Sequence, residues 1–441
     1  MTNQANHSTP RLAGIPRGTA IAAAVVCLLT TVALQSAQAQ TYTVIHKFSN
    51  GGDGATPEAG LTLDAGGNLY GTTGFGGYQS TGVCQADGGC GVVFRLSHHG
   101  TGWTITGLYQ FLAGDDGDGP LSRVVFGPDG ALYGTTQSGG GNGCTDGYGC
   151  GTVYRLTPPA RLCTHFSCEW SETVLHAFTA GADGRLPYFG DLTFDTAGDI
   201  FGTTALGGIH NDGTLYKVSR QGEGWTESVA YTFGGAAAQY PAYGVVFDSA
   251  GNIYGTAGGG GPYDDGLVYE LQPFEGGWTE NTLFTFTGGA NGAGPGSGLI
   301  FDRMGNLYGA TVSGGPGTNG GTVYQLVPSA TGWTLTTLTG IVGGSGGPNG
   351  SLTMDAAGNL YGTTYSDGAH GYGSVFKVAP QNDGTWLLTD LYDFTGFDDG
   401  GWPIGNVTID ASGNLWGTAS RGGDRTLCSH LGCGVIWEIT P

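Results

Sequence analysis

The stretch Gly67-Asn68-Leu69-Tyr70-Gly71-Thr72-Thr73 recurs with small changes along the whole chain. Its six near-copies begin at Gly130, Gly198, Gly251, Gly305, Gly358 and Gly413. The aromatic residues of the last five copies are spaced 53 to 55 residues apart, and the first two spacings are longer. A fixed period of this length is typical of propeller blades rather than of short solenoid coils.

Each copy lies within a unit that reads as four strands. In the fifth unit the predicted strands are 299–301, 307–311, 322–326 and 334–338. The turn before the second strand carries Asp302 and the pair Gly305-Asn306, which suit a tight turn with positive φ. Four strands of this length per unit match a propeller blade.

The two ends of the chain complement each other. The last unit has candidate strands at 407–409, 414–418 and 435–440 and then lacks a fourth. The segment 41–48 resembles the fourth strands of other units, such as 103–111. We therefore expect the N-terminal strand to complete the last blade, which removes an exposed sheet edge. The sequence predicts an all-β fold, one seven-bladed β-propeller domain over residues 41–441.

The first 39 residues have the features of a secretory signal peptide. Arg11 and Arg17 precede an apolar run at 20–34, and Ala37-Gln38-Ala39 is a small-residue cleavage site before Gln40. The alternative is an uncleaved anchor helix, although the run is short for a span of about 20 residues. We expect a secreted protein, or one in the periplasm or cell envelope, with no membrane insertion after cleavage.

The charge balance limits the possible partners. The chain has 14 Lys and Arg against 35 Asp and Glu, a formal net charge of −21. Nucleic acids and anionic membrane surfaces repel such a field, whereas cations, basic partners and neutral glycans are permitted. The 90 glycines lack a triplet period, and the content of aromatic residues is that of an ordered chain. We expect a monomer.

Eight of the nine cysteines form four close pairs, and Cys27 lies in the leader. An even number in a secreted chain predicts disulfides. Zinc binding is the alternative, but no pair has the two-residue gap of a zinc knuckle. The predicted disulfides are Cys84–Cys90, Cys144–Cys150, Cys163–Cys168 and Cys428–Cys433.

The repeat unit combines G-N-L-Y-G-T-T, G-G, G-T-V-[FY]-x-L and G-W-T. It resembles the GloVer tandem repeat of "choice-of-anchor" bacterial secreted proteins over essentially the whole chain after the leader. This resemblance implies secretion and a repeat-built β fold, with no established activity. Family members often carry an anchoring tail; we see none after Thr440 and expect release. The turn D-x-x-G-N-L-[YW] is also similar to that of streptogramin-lyase-like and gluconolactonase-like propellers.

The recurrent aromatic residues have two possible roles. The aromatic of each copy is expected to pack blade against blade, as are the tryptophans that open the fourth strands. These tryptophans could instead stack on sugar rings. They are Trp103, Trp170, Trp225, Trp278, Trp333 and Trp386.

Candidate site residues lie where the copies differ. Acidic loops lead from a fourth strand into units 7, 1, 2 and 3, and Asp alternating with Gly suits a calcium site. Turn chemistry is the alternative. The candidates are Asp53, Asp115, Asp116, Asp118, Asp183, Asp398 and Asp399. The cysteine loops of units 1, 2 and 7 should lie on the same face, where loops on a rigid scaffold often bind ligands. They could instead serve only to resist proteolysis.

The predicted central channel offers a second set of candidates. One residue precedes each innermost strand, and Arg123 and Asp191 on adjacent blades could pair as a structural bridge or as a substrate clamp. The set is Gly60, Arg123, Asp191, Gly244, Gly298, Ser351 and Asn406. His210 and His430 lie in loops between second and third strands and could act as bases, or be surface residues.

No motif discloses a reaction. The first hypothesis is a secreted binding module that recognises a glycan or an extracellular protein through one face of loops, with calcium as a possible cofactor. The alternatives are a propeller enzyme, either a lyase or a carbohydrate-active hydrolase, and a purely structural envelope protein.

Overall fold

In the computed structural model, seven antiparallel sheets with four main strands each form the blades. The structure describes Met1 and residues 40–441, apart from 78–83, 85–87, 101, 142–143, 145–148, 160–169, 236, 317–318 and 344–345. Residues Thr41–Thr440 form one compact unit. The expected signal peptide lies outside the described residues.

The strand bounds repeat from blade to blade. Blade 1 contains β2 (Thr62–Leu63), β3 (Leu69–Thr73), β4 (Val92–His99) and β5 (Gly102–Gln110). Blade 2 contains β6 (Val125–Phe126), β7 (Leu132–Thr136), β8 (Thr152–Thr157) and β9 (Ser171–Ala177). Blade 3 contains β10 (Thr193–Phe194), β11 (Ile200–Thr204), β12 (Thr214–Gln221) and β13 (Gly224–Thr232). Blade 4 contains β15 (Val246–Phe247), β16 (Ile253–Ala257), β18 (Leu267–Phe274) and β19 (Gly277–Thr285).

The remaining blades follow the same plan. Blade 5 contains β21 (Ile300–Phe301), β22 (Leu307–Ser313), β23 (Thr322–Ser329) and β24 (Gly332–Gly340), with β20 (Ala293–Pro295) added beside β22. Blade 6 contains β25 (Thr353–Met354), β26 (Leu360–Thr364), β27 (Ser374–Pro380) and β28 (Trp386–Asp393). Blade 7 contains β29 (Thr408–Ile409), β30 (Leu415–Ala419), β31 (Val435–Thr440) and β1 (Thr41–Lys47). A small pair, β14 (Ala238–Gln239) and β17 (Gly259–Gly260), and the 3-10 turn Cys428–His430 complete the described elements.

The N-terminal strand closes the ring, as predicted. β1 pairs antiparallel with β31, from Thr41 opposite Thr440 to Lys47 opposite Val435. Tyr42 stacks on Tyr392 of blade 6 at 3.7 Å between ring centroids. The closing strand is thus held by its own blade and by the blade before it.

Each part of the GNLYGTT stretch has a structural role. In blade 1 Gly67 adopts φ +80 in the turn, where the Asn68 amide donates to the Asp64 carboxylate at 2.8 Å. The Tyr70 hydroxyl donates to the same carboxylate at 3.1 Å. The hydroxyl of Thr72 donates to the carbonyl of Ser122 in the linker to blade 2 at 3.0 Å. The stretch therefore builds the turn and joins neighbouring blades.

The second glycine of the stretch lies under an aromatic ring of the third strand. A Cβ atom on Gly71 would lie 2.5 Å from the ring of Phe94, and one on Gly134 would lie 2.5 Å from the Tyr154 hydroxyl. Only glycine permits this close approach, because real Cβ atoms do not come within 3 Å of another heavy atom. The same contact is present in all seven blades.

The core consists of seven clusters, each formed between two adjacent blades. The second-strand aromatic of one blade contacts the fourth-strand tryptophan of the next, in line with the packing role predicted for both. The ring centroid distances are 6.4 Å for Tyr70–Trp170, 6.1 Å for Tyr133–Trp225, 5.9 Å for Tyr254–Trp333, 6.1 Å for Tyr308–Trp386 and 5.0 Å for Trp416–Trp103. Since burial of apolar area is the main favourable term in folding, most of the stability resides between blades.

Candidate functional site

The propeller has two faces with different chemistry. We call the loop face the one formed by the loops between second and third strands and by the linkers after the fourth strands. These segments contact each other through bridges such as Ala55–Phe75 and Gly401–Arg421, so the predicted proximity of acidic and cysteine loops is confirmed. The opposite turn face carries the Asp-containing turns after the innermost strands.

Four of the acidic candidates on the loop face cap turns. Each accepts a backbone N–H from the residue four positions earlier, which is a side-chain mimic of a backbone turn. The bonds are Ser49 N to Asp53 at 3.0 Å, Leu112 N to Asp116 at 3.0 Å, Thr179 N to Asp183 at 2.8 Å and Thr395 N to Asp399 at 2.9 Å. His46 and His176 add contacts to Asp53 and Asp183 at 3.0 and 3.2 Å.

The other three acidic candidates are more dispersed. Asp115 and Asp398 are exposed, and Asp398 accepts a hydrogen bond from Lys47 at 3.1 Å. Asp118 forms a backbone bridge with Ser138. Over the described part of the chain, no three His, Cys, Asp or Glu side chains come together in a group that could hold a metal ion. Turn formation is thus shown for Asp53, Asp116, Asp183 and Asp399.

Three of the predicted disulfides are present, at Cys84–Cys90, Cys144–Cys150 and Cys428–Cys433. The predicted pair Cys163–Cys168 lies outside the described residues. Disulfides of this kind persist in oxidising compartments and suggest an extracellular or periplasmic location. No helix in the described residues has the length and apolar character needed to span a membrane.

The two histidine candidates are solvent-exposed. His210 lies against Gly234, and His430 ends the 3-10 turn with φ +65. Within the described residues, neither side chain forms a hydrogen bond to a carboxylate.

The predicted pair Arg123 and Asp191 does form, inside the central channel. Nε and Nη2 of Arg123 both donate to Oδ2 of Asp191, at 2.9 and 2.7 Å. Within the described residues, Nη1 of Arg123 and Oδ1 of Asp191 have no hydrogen-bond partner. Both side chains remain more than one-fifth exposed. The pair therefore retains unused N–H donors on Arg123 and an unused acceptor on Asp191.

This pair lies at one end of an axial chamber of about 410 Å³. The chamber runs from the pair along the innermost strands of blades 3 to 6 toward the turn face. Its walls include Val246, Ile300 and Met354, and it is widened by Gly244 and Gly298, where side chains are absent. A chamber of this size with apolar walls and a few convergent polar groups has the usual form of a small-molecule site.

A narrow cavity continues from the pair toward the loop face. It provides only about 30 Å³, space for roughly two water molecules. Phe189 packs nearly parallel to Tyr243, at 6.4 Å, and the Tyr243 hydroxyl donates to Oδ1 of Asn349 at 2.6 Å. These side chains narrow the channel at this end.

Glu58 also lines the narrow cavity and was not predicted as a site residue. Burial raises the pKa of its carboxyl group, and the nearby Arg421 partly offsets this. The sequence does contain a signal for this region. In six linkers a proline lies four positions before the buried residue that precedes the innermost strand. In blade 3 the interval is five positions, from Pro187 to Leu192. The extra residue accompanies the aromatic pair Tyr188-Phe189.

Comparison with known families identifies the repeat. The Gloeobacter/Verrucomicrobia repeat matches residues 30–246, 146–344 and 241–441. The chain belongs to this repeat family. A search of curated proteins finds no significant match.

The solved structures that match this repeat protein have low sequence identity to it. A putative oxidoreductase (glucose dehydrogenase) from Thermus thermophilus is 16% identical, with a TM-score of 0.42, over 73% of this chain and 96% of that chain. A putative 6-phosphogluconolactonase from Bacteroides uniformis is 14% identical, with a TM-score of 0.46, over 75% of this chain and 85% of that chain. A putative gluconolactonase is 15% identical, with a TM-score of 0.34, over 56% and 72%. Similarity at this level says nothing about activity.

Proposed function

We propose that this repeat protein is a secreted, monomeric binding module that takes a neutral polar ligand of the saccharide class in its axial chamber. The observation that carries the proposal is the Arg123–Asp191 pair at the end of the chamber. In the other blades the equivalent position holds glycine, serine or asparagine. This asymmetry distinguishes the chamber from the repeated scaffold.

The charges of the chamber favour a neutral ligand. The ion pair is internally neutral, and a chain of net charge −21 repels anions. Nη1 of Arg123 is a donor and Oδ1 of Asp191 is an acceptor, and sugar hydroxyl groups can bond to both kinds of group. Ser351 and Asn406 add polar groups at the same level, and the apolar walls suit the carbon faces of a sugar ring.

The test is binding of neutral and acidic oligosaccharides to the purified protein by calorimetry. Arg123→Gln and Asp191→Asn should each weaken binding of a neutral saccharide by roughly tenfold, since each removes a charged hydrogen-bonding group. The matched control is Arg155→Gln, which breaks the Arg155–Asp129 pair outside the chamber, where Nη2 and Oδ2 are 2.6 Å apart. If a saccharide bound Arg123→Gln and Asp191→Asn as tightly as it binds the control and the unmodified protein, the chamber would be refuted as the binding site.

Glu58 supports the second candidate, an enzyme of the lyase or hydrolase class. A carboxyl group with a raised pKa in a channel can act as a general acid or base. The same saccharide panel, followed for product formation, tests it. Turnover that disappears in Glu58→Gln while saccharide binding persists would favour catalysis. If the unmodified protein formed no product from any saccharide of the panel, the result would contradict the enzyme candidate and favour the binding module.

A further inference from the structure

The blades repeatedly place a protein cation over the second-strand aromatic. In the strand register, the residue opposite this aromatic lies on the third strand of the same blade. Four blades have a basic residue there, Arg95 in blade 1 among them, and in three blades this residue lies in cation–π geometry. These contacts are Arg155 over Tyr133 at 6.0 Å, Lys217 over Phe201 at 5.5 Å and Lys377 over Tyr361 at 5.6 Å.

Blade 7 has an acid at this position. Glu438 lies opposite Trp416 in the register. The only other blade with an acid there is blade 4, and its Glu270 is buried and accepts hydrogen bonds from the Tyr254 hydroxyl at 2.7 Å and from Gln272 at 3.1 Å. Glu438 is partly exposed and accepts no hydrogen bond from the described residues. Glu438 therefore lacks the side-chain hydrogen-bond donors that Glu270 has in Tyr254 and Gln272.

Glu438 lines a groove of about 550 Å³ between blades 7 and 1 on the turn face, which we call the blade 7–1 groove. Trp103 forms part of its wall and packs edge-to-face on Trp416, with ring centroids 5.0 Å apart. Asp64 and Asp410 are two further carboxylates in the groove. Burial, and then Asp410, raises the pKa of Glu438. The exposed His98 acts in the opposite direction.

We propose that the blade 7–1 groove binds a basic side chain, Arg or Lys, of an extracellular peptide or protein. The ligand cation would take the place that Arg155, Lys217 and Lys377 fill in their blades. The carboxylates of Glu438, Asp64 and Asp410 supply the opposite charge, and Trp103 supplies an aromatic surface for the apolar stem and the cation. The negative net charge of the chain increases the association rate of a basic partner. The axial chamber is not involved, so the proposal stands apart from the saccharide site.

The experiment uses capped Gly-Arg-Gly and Gly-Lys-Gly peptides, with a capped Gly-citrulline-Gly peptide as the neutral isostere of the arginine peptide. Binding is followed by tryptophan fluorescence, because Trp103 lines the groove, and by calorimetry at low salt. We expect saturable binding of both cationic peptides and at least tenfold weaker binding of the citrulline peptide, which lacks the charge.

Two variants test the role of Glu438. Glu438→Gln should weaken peptide binding about tenfold. Glu438→Lys should abolish it without unfolding the protein, because the lysine would occupy the groove as Lys217 and Lys377 do in their blades. The control Glu223→Gln removes an exposed acid from the hairpin of blade 3 and should leave binding unchanged.

Several results would overturn the proposal. Equal binding of the citrulline peptide would show that charge is not recognised. Full binding by a folded Glu438→Lys variant, with an unchanged circular dichroism spectrum, would place the peptide elsewhere. No saturable binding of either cationic peptide would likewise exclude this function.

Discussion

Two carboxyl groups between blades should make the protein more stable in mild acid than at alkaline pH. Glu172 on β9 interacts electrostatically with the buried Tyr154 and with Asp116 of blade 1, and Glu227 on β13 interacts with Asp183 of blade 2. Each has one buried oxygen without a hydrogen bond in the described structure. Burial and then the neighbouring aspartate raise the pKa of each group from 4.5 to about 7.

The sign follows from proton binding. Between pH 4.5 and 7 the folded protein holds protons on Glu172 and Glu227 that the unfolded chain has released. The free energy of unfolding therefore falls as pH rises through this window. Without solvent screening, this pKa difference would change the free energy of unfolding by about 3 kcal/mol per group, at 1.36 kcal/mol per pKa unit. Because both side chains remain partly exposed, solvent screening reduces this to about 1.5 kcal/mol per group.

The assay is urea unfolding at pH 5 and pH 8 with the double variant Glu172→Gln, Glu227→Gln. Its loss of unfolding free energy between these pH values should be about 3 kcal/mol smaller than that of the unmodified protein, the effect of both groups. Glu275→Gln, at an exposed hairpin, should retain the full pH dependence. An identical pH dependence in the double variant and the unmodified protein would refute the reasoning.

Three further predictions concern stability. Gly134→Ala should lower the unfolding free energy by about 3 kcal/mol in urea unfolding, because its Cβ would overlap Tyr154, whereas Gly102→Ala meets no atom within 4 Å and should be neutral. Tyr42→Ala should cost about 3 kcal/mol in the same assay by removing the stack on Tyr392, and a neutral result would mean that this contact does not hold the ring closed. Reduction of Cys428–Cys433 should accelerate trypsin cleavage after the exposed Arg425 but not after the exposed Arg303, as measured by mass spectrometry; equal acceleration at both sites would indicate global unfolding instead.

The sequence was sufficient to predict the propeller, because its determinants are local and repeated. Asp302, Gly305 and Tyr308 recur with their partners a few residues away, and this fixes the turn and the second strand. The pairing of Arg123 with Asp191 was also predictable, since equivalent positions of adjacent blades must meet. The short strands β14, β17 and β20 were missed, because their pairing depends on how linkers pack after the blades have formed.

The site residues were harder to predict for a related reason. Glu58 has no sequence neighbour that marks it, and its pKa depends on burial by other blades. Glu438 could have been found by aligning the third strands and noting an acid where three other blades have a base that covers the aromatic ring. The significance of the acid depends on the strand register and on Trp103 of the next blade, which only the folded ring brings together.

The pairing of β1 with β31 has a consequence for the order of assembly. Blades 1 to 6 are each made from contiguous residues and can form as the chain is synthesised. The first strand must wait for a partner that is made last, at Val435–Thr440. A chain that terminates early, or is cut within blade 7, leaves β1 without its neighbour. A product truncated before Val435–Thr440 would therefore present β1 as an unpaired strand to proteases.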